Sequence, residues 1–155
     1  MKYVWGTLLL TIGVLIGLVT TSLFGAVQYP LGAATERISP SDHVPENNIE
    51  VYQDRVIIRL DNPKWATFAD TNSMDPVFDK GNNAVQIVPT SPDQIAVGDI
   101  ISYQHNGKVI IHRVIEKGLD GQGWYFTVQG DNNASPDPVQ VRFEDITRVV
   151  VAIVY

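Results

Sequence analysis

The hydrophobic positions of this chain fall into two regions that differ in pattern. Residues 3–27 form a single uncharged, mostly apolar run of 25 residues. A helix of that length reaches about 37 Å, which is longer than the roughly 30 Å hydrocarbon core of a bilayer. The apolar region of a secretory signal sequence is shorter, about 7–15 residues. We therefore predict that residues 1–28 form one N-terminal transmembrane helix, which is retained as an anchor.

Beyond the apolar run, short hydrophobic stretches alternate with turn residues. Residues 29–48 are rich in proline, serine, asparagine and acidic residues, and Pro40 and Pro45 interrupt any regular element, so we expect a linker. Short helical turns are predicted at 91–95 and 143–146. Runs rich in β-branched and aromatic residues predict strands at 56–60, 84–88, 99–104, 108–116, 124–129 and 148–155.

The junction between two of these strands carries a strong turn signal. Asn106-Gly107 stands between hydrophobic runs, and a two-residue type I′ turn requires the positive φ that both residue types tolerate. No segment after residue 48 shows helical periodicity. We therefore predict an all-β, mostly antiparallel domain over residues 49–155.

Charge and composition narrow the classes of function. The chain has 17 acidic residues against 11 lysines and arginines, a net charge of −6. A nucleic-acid partner is not expected, because no basic patch is available to neutralise phosphates. The absence of cysteine excludes a disulfide scaffold, a thiolate nucleophile and a cysteine-ligated metal. Lys2 precedes the apolar run, so the positive-inside rule places the amino terminus in the cytoplasm and the β-domain outside.

The three histidines are candidates for chemistry. His43 lies in the predicted linker and His105 in the hairpin turn, where solvated histidines are common. His112 lies within a predicted strand, on the same face as Ile110 and Val114. A histidine among aliphatic side chains needs a hydrogen-bond partner, so it is either a core residue bonded to a backbone carbonyl or a functional base. Without an HxH or HExxH spacing, the histidines predict no metal site.

Two polar segments supply further reactive residue types. Ser73 stands in "TNSMDP", and Asp131 and Asp137 stand in "GDNNASPDP". Serines and aspartates in such segments ordinarily form loops and turns. A serine becomes nucleophilic beside a base, and a histidine serves as that base when a carboxylate fixes its tautomer. Together with His112 they supply the residue types of a serine–histidine–aspartate triad, and spacing leaves open which aspartate completes it.

Three motifs in this order resemble those of type I signal peptidases of the archaeal and endoplasmic-reticulum kind. The segment "SMDP" (73–76) resembles the family's serine motif, "HRV" (112–114) its base motif and "GDNN" (130–133) its acidic motif. The segment "VGDIISY" (97–103) resembles the strand that precedes the base. The family's layout, an N-terminal anchor with a β-rich catalytic domain outside the membrane, also matches the pattern of this chain. Bacterial relatives carry lysine at the base position.

The resemblance implies a role for each matching residue. Ser73 would be the nucleophile and His112 the general base. Asp137 would be the partner of His112 and Asp131 a structural or supporting group, with the opposite assignment of the two aspartates still open. Lys108 is a rival base on the same strand face as His112, but it follows the Asn-Gly turn, where a lysine is ordinarily solvated.

Weaker assignments concern the neighbours of Ser73. The hydroxyl of Thr71, with the backbone N–H of Ser73, would stabilise the oxyanion, and Met74 would line the substrate pocket. Two positions depart from the family pattern. Asn72 stands where glycine is common before the serine, and Asn82 stands where aspartate is common after a glycine.

The function implied by the resemblance is that of a membrane-bound serine endopeptidase. It would remove N-terminal signal peptides from exported proteins on the outer face of the cytoplasmic membrane, without a cofactor. Its partners would be preproteins, the lipid bilayer and, in some systems, accessory membrane subunits. The two departures motivate an alternative, a catalytically inactive, membrane-tethered β-domain that binds exported chains. A related processing peptidase with a specialised substrate is the third reading.

Overall fold

Short antiparallel strands dominate residues 36–155, the part of the chain that this computed structural model describes. Three single-turn 3-10 helices, Glu46–Asn48, Pro92–Gln94 and Phe143–Asp145, lie between strands. The strands are β1 (Ile49–Val51), β2 (Val56–Ile58), β3 (Lys64–Thr67), β4 (Asn83–Ile87), β5 (Ile100–His105), β6 (Lys108–Asp120), β7 (Gly123–Gln129), β8 (Val141–Arg142) and β9 (Ile146–Val154).

The predicted all-β, antiparallel class is confirmed for these residues. Each of the six predicted strands overlaps an observed strand, and helical turns occur at both predicted places. Sequence patterns missed β1, β3 and β8, which have two to four residues each. Such short strands carry little alternation; in β3 every residue except Ala66 is exposed. No helix within residues 36–155 has the length and apolarity to span a bilayer, and the predicted anchor lies outside the described residues.

One sheet of seven strands organises the domain in the order β3-β4-β9-β5-β6-β7-β8, while β1 and β2 form a separate hairpin. The β5–β6 hairpin turns at Asn106 and Gly107, whose φ angles of 49° and 74° have the sign that a type I′ turn requires. The predicted hairpin is therefore confirmed. It holds Ile101 opposite His112 and Ser102 opposite Ile111.

The core consists of two clusters of buried side chains. Strand β5 contributes Ile101 and Tyr103 to the larger cluster and Ile100 to the smaller one, as expected from strand alternation. The smaller cluster also contains Met74 and Phe78, which follow Ser73 in sequence. Burial of these two apolar side chains attaches the serine-bearing segment to the sheet.

The segment before β1 packs against the start of β5. The backbone N–H of Ser41 donates to Oδ1 of the fully buried Asp99 at 2.7 Å, and Nε2 of His43 lies 3.0 Å from Oδ2 of the same carboxylate. The His43 side chain is only 11% exposed. The expectation of a solvated His43 is therefore wrong, because a buried carboxylate 56 positions later in the chain provides its partner.

Candidate active site

A histidine–aspartate pair stands at the centre of the candidate site. His112 lies in β6 and is 8% exposed, and its Nδ1 lies 2.6 Å from Oδ2 of Asp137. The Nδ1–H group donates to the carboxylate, and this tautomer leaves the lone pair of Nε2 free to accept a proton. The alternative of a purely structural core histidine, bonded to a backbone carbonyl, is not the arrangement found.

Asp137 is held by groups on β5 and β7, the two strands that flank β6. Its backbone N–H donates to the carbonyl of Val128 at 2.9 Å, and the hydroxyl of Tyr103 donates to its Oδ2. Burial, together with the adjacent carboxylate of Asp137, raises the pKa of Tyr103, so the phenol stays a donor. Sequence reasoning missed Tyr103; its signal is a tyrosine within a predicted core strand, where a buried hydroxyl needs a partner.

Ser73 lies on the loop between β3 and β4. Its Oγ is 3.1 Å from Oγ1 of Thr71, and its backbone N–H points at the same Thr71 oxygen at 3.5 Å. No hydrogen bond joins Ser73 to His112 within residues 36–155, although both side chains line one cleft. Catalytic hydrogen bonds are often long or unformed without substrate, so this separation is compatible with a nucleophile–base pair.

The loop after β7, which carries Asp131 and is called the acidic loop below, forms hydrogen bonds to the backbone of the loop that carries Ser73. The backbone N–H of Asn132 donates to the carbonyl of Ser73 at 3.0 Å, and its side-chain amide donates to the carbonyl of Asn72 at 3.0 Å. A Cβ on Gly130 would lie 2.5 Å from the Ser73 oxygen. The loop therefore requires glycine at position 130 for this close approach.

Asp131 occupies a different environment from Asp137. Its carboxylate accepts two parallel hydrogen bonds from Arg113, at 2.8 Å from Nε and 2.7 Å from Nη2, and its carbonyl accepts one from Arg37 at 2.6 Å. Both Arg113 and Asp131 are almost fully buried. The structure thus places Asp131 against the residue that follows His112, not against His112 itself.

The cleft beside these residues has a volume of about 830 Å³. Its walls include Thr71, Ser73 and Met74 on one side and His112 on the other. The volume lies within the usual range for ligand sites in proteins. Lys108 also lines the cleft, as an exposed side chain at the start of β6. The residues predicted to act around Ser73 are therefore brought to one cavity.

The two departures from the family pattern have structural explanations. Asn72 has φ of 55°, a left-handed conformation that glycine and asparagine adopt most readily. Asn82 accepts a hydrogen bond from the backbone N–H of Asp79 at 2.9 Å, which an aspartate would also accept. Asp79 in turn accepts the backbone N–H groups of Thr71 and Asn72, each at 3.3 Å. Both asparagines therefore suit the loop that carries Ser73.

Comparison with known proteins gives two similar chains. Signal peptidase I W of Bacillus subtilis (strain 168) is 27% identical over 77 residues, which are 49% of this chain and 40% of the relative. The signal peptidase complex catalytic subunit SEC11 of Metarhizium acridum (strain CQMa 102) is 30% identical over 82 residues, 52% of this chain and 48% of the relative. The chain therefore spans less than half the length of either relative.

Two further comparisons are negative. No protein-family model matches the chain, and no solved structure matches it. The two named relatives nevertheless agree with each other and with the three ordered motifs. In sequence, the chain is similar to two proteins that are named as signal peptidases.

Proposed function

We propose that the chain is a membrane-bound serine endopeptidase that removes N-terminal signal peptides from exported proteins. The observation that carries this proposal is the contact of 2.6 Å between His112 Nδ1 and Asp137 Oδ2, beside a cleft that Ser73 also lines. A carboxylate on Nδ1 orients the imidazole and stabilises the imidazolium that forms when Nε2 takes a proton. The names of both relatives support the substrate class.

The reaction would proceed in two steps. Oγ of Ser73 attacks the scissile carbonyl while Nε2 of His112 takes the hydroxyl proton, and the same proton then passes to the departing amine. This step leaves the signal peptide as an ester on Ser73 and releases the exported chain. Water then attacks the ester, with His112 again as the base, and frees the carboxylate of the signal peptide. No cofactor takes part.

Thr71 and the backbone N–H of Ser73 would stabilise the oxyanion. Both groups adjoin the serine hydroxyl, with the Thr71 hydroxyl at 3.1 Å from Oγ. Once substrate separates the two hydroxyls, that of Thr71 is free to donate to the developing negative charge. A single donor of this kind is typically worth about 3 kcal/mol in the transition state.

Asp131 would support the site without touching the substrate. Its ion pair with Arg113 fixes the loop whose Asn132 holds the Ser73 carbonyl. Met74, almost fully buried at the base of the cleft, would line the pocket for the residues before the cut. The predicted anchor in residues 1–28 would hold the enzyme in the same bilayer as the signal sequence, with the β-domain outside the cytoplasm. Sharing one bilayer would raise the effective concentration of the signal sequence at the enzyme. Accessory membrane subunits would be further partners, because one relative is named as the catalytic subunit of a complex.

The direct test is cleavage of a preprotein by the full-length chain in detergent. We expect the wild type to release the mature protein, and Ser73→Ala and His112→Ala to lose that activity. A shortened product still formed by Ser73→Ala at the wild-type rate would reject the proposal. Thr67→Val, which alters another residue of the cleft, is a control for unspecific damage to the cavity.

A non-catalytic, membrane-tethered β-domain that binds exported chains is the second candidate. The observation that favours it is the Ser73 hydroxyl, which bonds to Thr71 and not to His112 in the described part of the chain. A serine-directed acylating probe separates the two candidates. The peptidase is expected to be labelled at Ser73 in a manner that His112→Ala abolishes, whereas the binding domain would stay unlabelled. A specialised processing peptidase would share the labelling and differ in the preproteins it cleaves.

A further inference from the structure

The cleft contains an arginine without a carboxylate partner in the described part of the chain. Arg148 lies in β9, is half-buried and lines the cleft. It forms neither an ion pair nor a side-chain hydrogen bond within residues 36–155. The other arginines of that range all pair with carboxylates; they are Arg37, Arg55, Arg59, Arg113 and Arg142. In so acidic a chain, an arginine that has no carboxylate partner among residues 36–155 needs an explanation.

The strand register places Arg148 beside other polar residues that line the cleft. Arg148 stands directly opposite Ser102 of β5, and side chains of opposite residues share one face of a sheet. Oγ of Ser102 accepts a hydrogen bond from Nε2 of Gln86 at 2.8 Å, and both residues also line the cleft. Gln86 and Ser102 are 1% and 3% exposed. Three adjacent strands thus contribute a row of polar side chains to a cavity whose other walls are largely apolar.

A second cation adds to the positive charge of this cavity. Lys108 lines the cleft from the first position of β6, and within residues 36–155 no carboxylate lies within ion-pair distance of it. The cleft has one carboxylate in its wall, Asp79, and an oxygen of that group accepts the backbone N–H groups of Thr71 and Asn72. Two cations therefore face one engaged anion, in a chain whose net charge is −6.

We infer that the cleft selects substrate chains that carry an acidic side chain close to the scissile bond. This inference rests on the proposed function. Arg148 binds the aspartate or glutamate carboxylate through two parallel N–H···O bonds, and Lys108 contributes attraction from the rim. A half-buried guanidinium without a partner has lost part of its hydration, and a substrate carboxylate restores its electrostatic stabilisation. A neutral side chain of the same shape does not.

The test compares aspartate with asparagine in a single preprotein. Either residue is placed, one position at a time, at each of the three sites before and after the cut, and kcat/KM is measured with the wild-type chain. We expect the aspartate substrate to exceed its asparagine twin by about tenfold or more at one position. The ratio should decrease as salt concentration rises, because salt screens the attraction to Lys108.

Two variants test which side chain causes the preference for aspartate. Arg148→Gln is expected to bring the aspartate-to-asparagine ratio to about one, and Lys108→Gln to lower it. Since the ratio compares two substrates with the same enzyme preparation, a loss of folded protein cancels. Arg55→Gln removes an exposed arginine from the β1–β2 hairpin and should keep the wild-type ratio.

Each contrary outcome has a distinct meaning. If the wild type cleaves the asparagine substrates and shows a ratio near one at every position, the inference is overturned and the proposed function stands. A preference that survives unchanged in Arg148→Gln also overturns it. If the wild type cleaves no member of the series, the proposed function and the inference fail together.

Discussion

His112 and Asp137 lie in contact, with 2.6 Å between Nδ1 and Oδ2, although 25 positions separate them in the chain. The contact depends on the end of β7, because Asp137 bonds through its backbone to Val128 in that strand. Both side chains are 10% exposed, so water competes little for the bond. If the imidazole acts as the base, the carboxylate selects the tautomer that leaves Nε2 free to do so.

The first prediction concerns this carboxylate. Asp137→Asn should reduce kcat by roughly 10⁴-fold, because an amide in place of the carboxylate favours the wrong tautomer and no longer stabilises the imidazolium. Preprotein cleavage measures the effect, with thermal unfolding as a check on folding. A kcat within about threefold of the wild-type value, in folded Asp137→Asn protein, would remove Asp137 from the triad.

Asp131 should respond differently to the same change. Asp131→Asn leaves Arg113 as a buried charge without its carboxylate, which typically costs 3–5 kcal/mol of unfolding free energy. The loss is read from urea denaturation. Asp120→Asn is the matched control, because its partner Arg142 lies in a more exposed ion pair, where the expected cost is much smaller. Equal costs for the two variants would contradict a structural role for Asp131.

The two aspartates illustrate what the sequence can and cannot predict. Runs of β-branched residues are local signals, and they located six strands and the Asn106-Gly107 turn. The choice between Asp131 and Asp137 is not local, because both stand in one loop and their partners come from other strands. Tyr103 and Arg113 are likewise identified as partners only when the sheet brings them to the acidic loop.

The full set of residues that line the cleft could not be predicted from the sequence, for a related reason. Ser73 and His112 were candidates because their residue types and motifs are chemically informative. Arg148 is part of no motif. Its significance depends on the lack of a carboxylate partner within the described residues 36–155, which no pattern along the chain reports. His43 illustrates the same limit. Its side chain was expected in solvent but is only 11% exposed, because it contacts Asp99, which is distant in the sequence.

A prediction for Thr71 tests the oxyanion site. Thr71→Val should lower kcat by roughly 10²–10³-fold, because it removes a hydroxyl donor but keeps the shape of the side chain. Thr71→Ser should keep most of the activity. Thr67→Val removes a hydroxyl from another position lining the same cleft and is the matched control. Equal activity of Thr71→Val and Thr67→Val would exclude an oxyanion role for Thr71.

Asn72 provides a test of backbone conformation. Because its φ is 55°, Asn72→Gly should leave activity within about twofold of the wild type. Asn72→Val should be impaired, since a left-handed conformation costs a residue with a bulky side chain roughly 1–2 kcal/mol or displaces the neighbouring Ser73. The measurements are kcat/KM and unfolding free energy. Similar behaviour of the glycine and valine variants would show that this conformation is not needed.

The pair of His43 and Asp99 predicts a pH-dependent stability. The carboxylate of Asp99 raises the pKa of His43 above its ordinary 6.5, against the effect of burial, and Asp42 adds to the increase. Burial acts to raise the pKa of Asp99, but its bonds to His43 and to the backbone N–H groups of Ala96 and Ser41 bring it below 3.8. In the folded protein, both groups are therefore predominantly charged in the window between these two ordinary pKa values, 3.8 and 6.5.

Within that window the ion pair should contribute about 1 kcal/mol to the unfolding free energy. The contribution is lost as pH rises through the folded-state pKa of His43, and also as pH falls through that of Asp99. Urea denaturation of wild type and His43→Gln should therefore differ most at about pH 5 and converge in alkaline buffer. His105→Gln, at the hairpin turn, is the control for removal of a histidine that has no carboxylate partner within residues 36–155. A wild-type advantage over His43→Gln that grows with rising pH would contradict the ion pair, because the neutral imidazole gains nothing from the Asp99 charge.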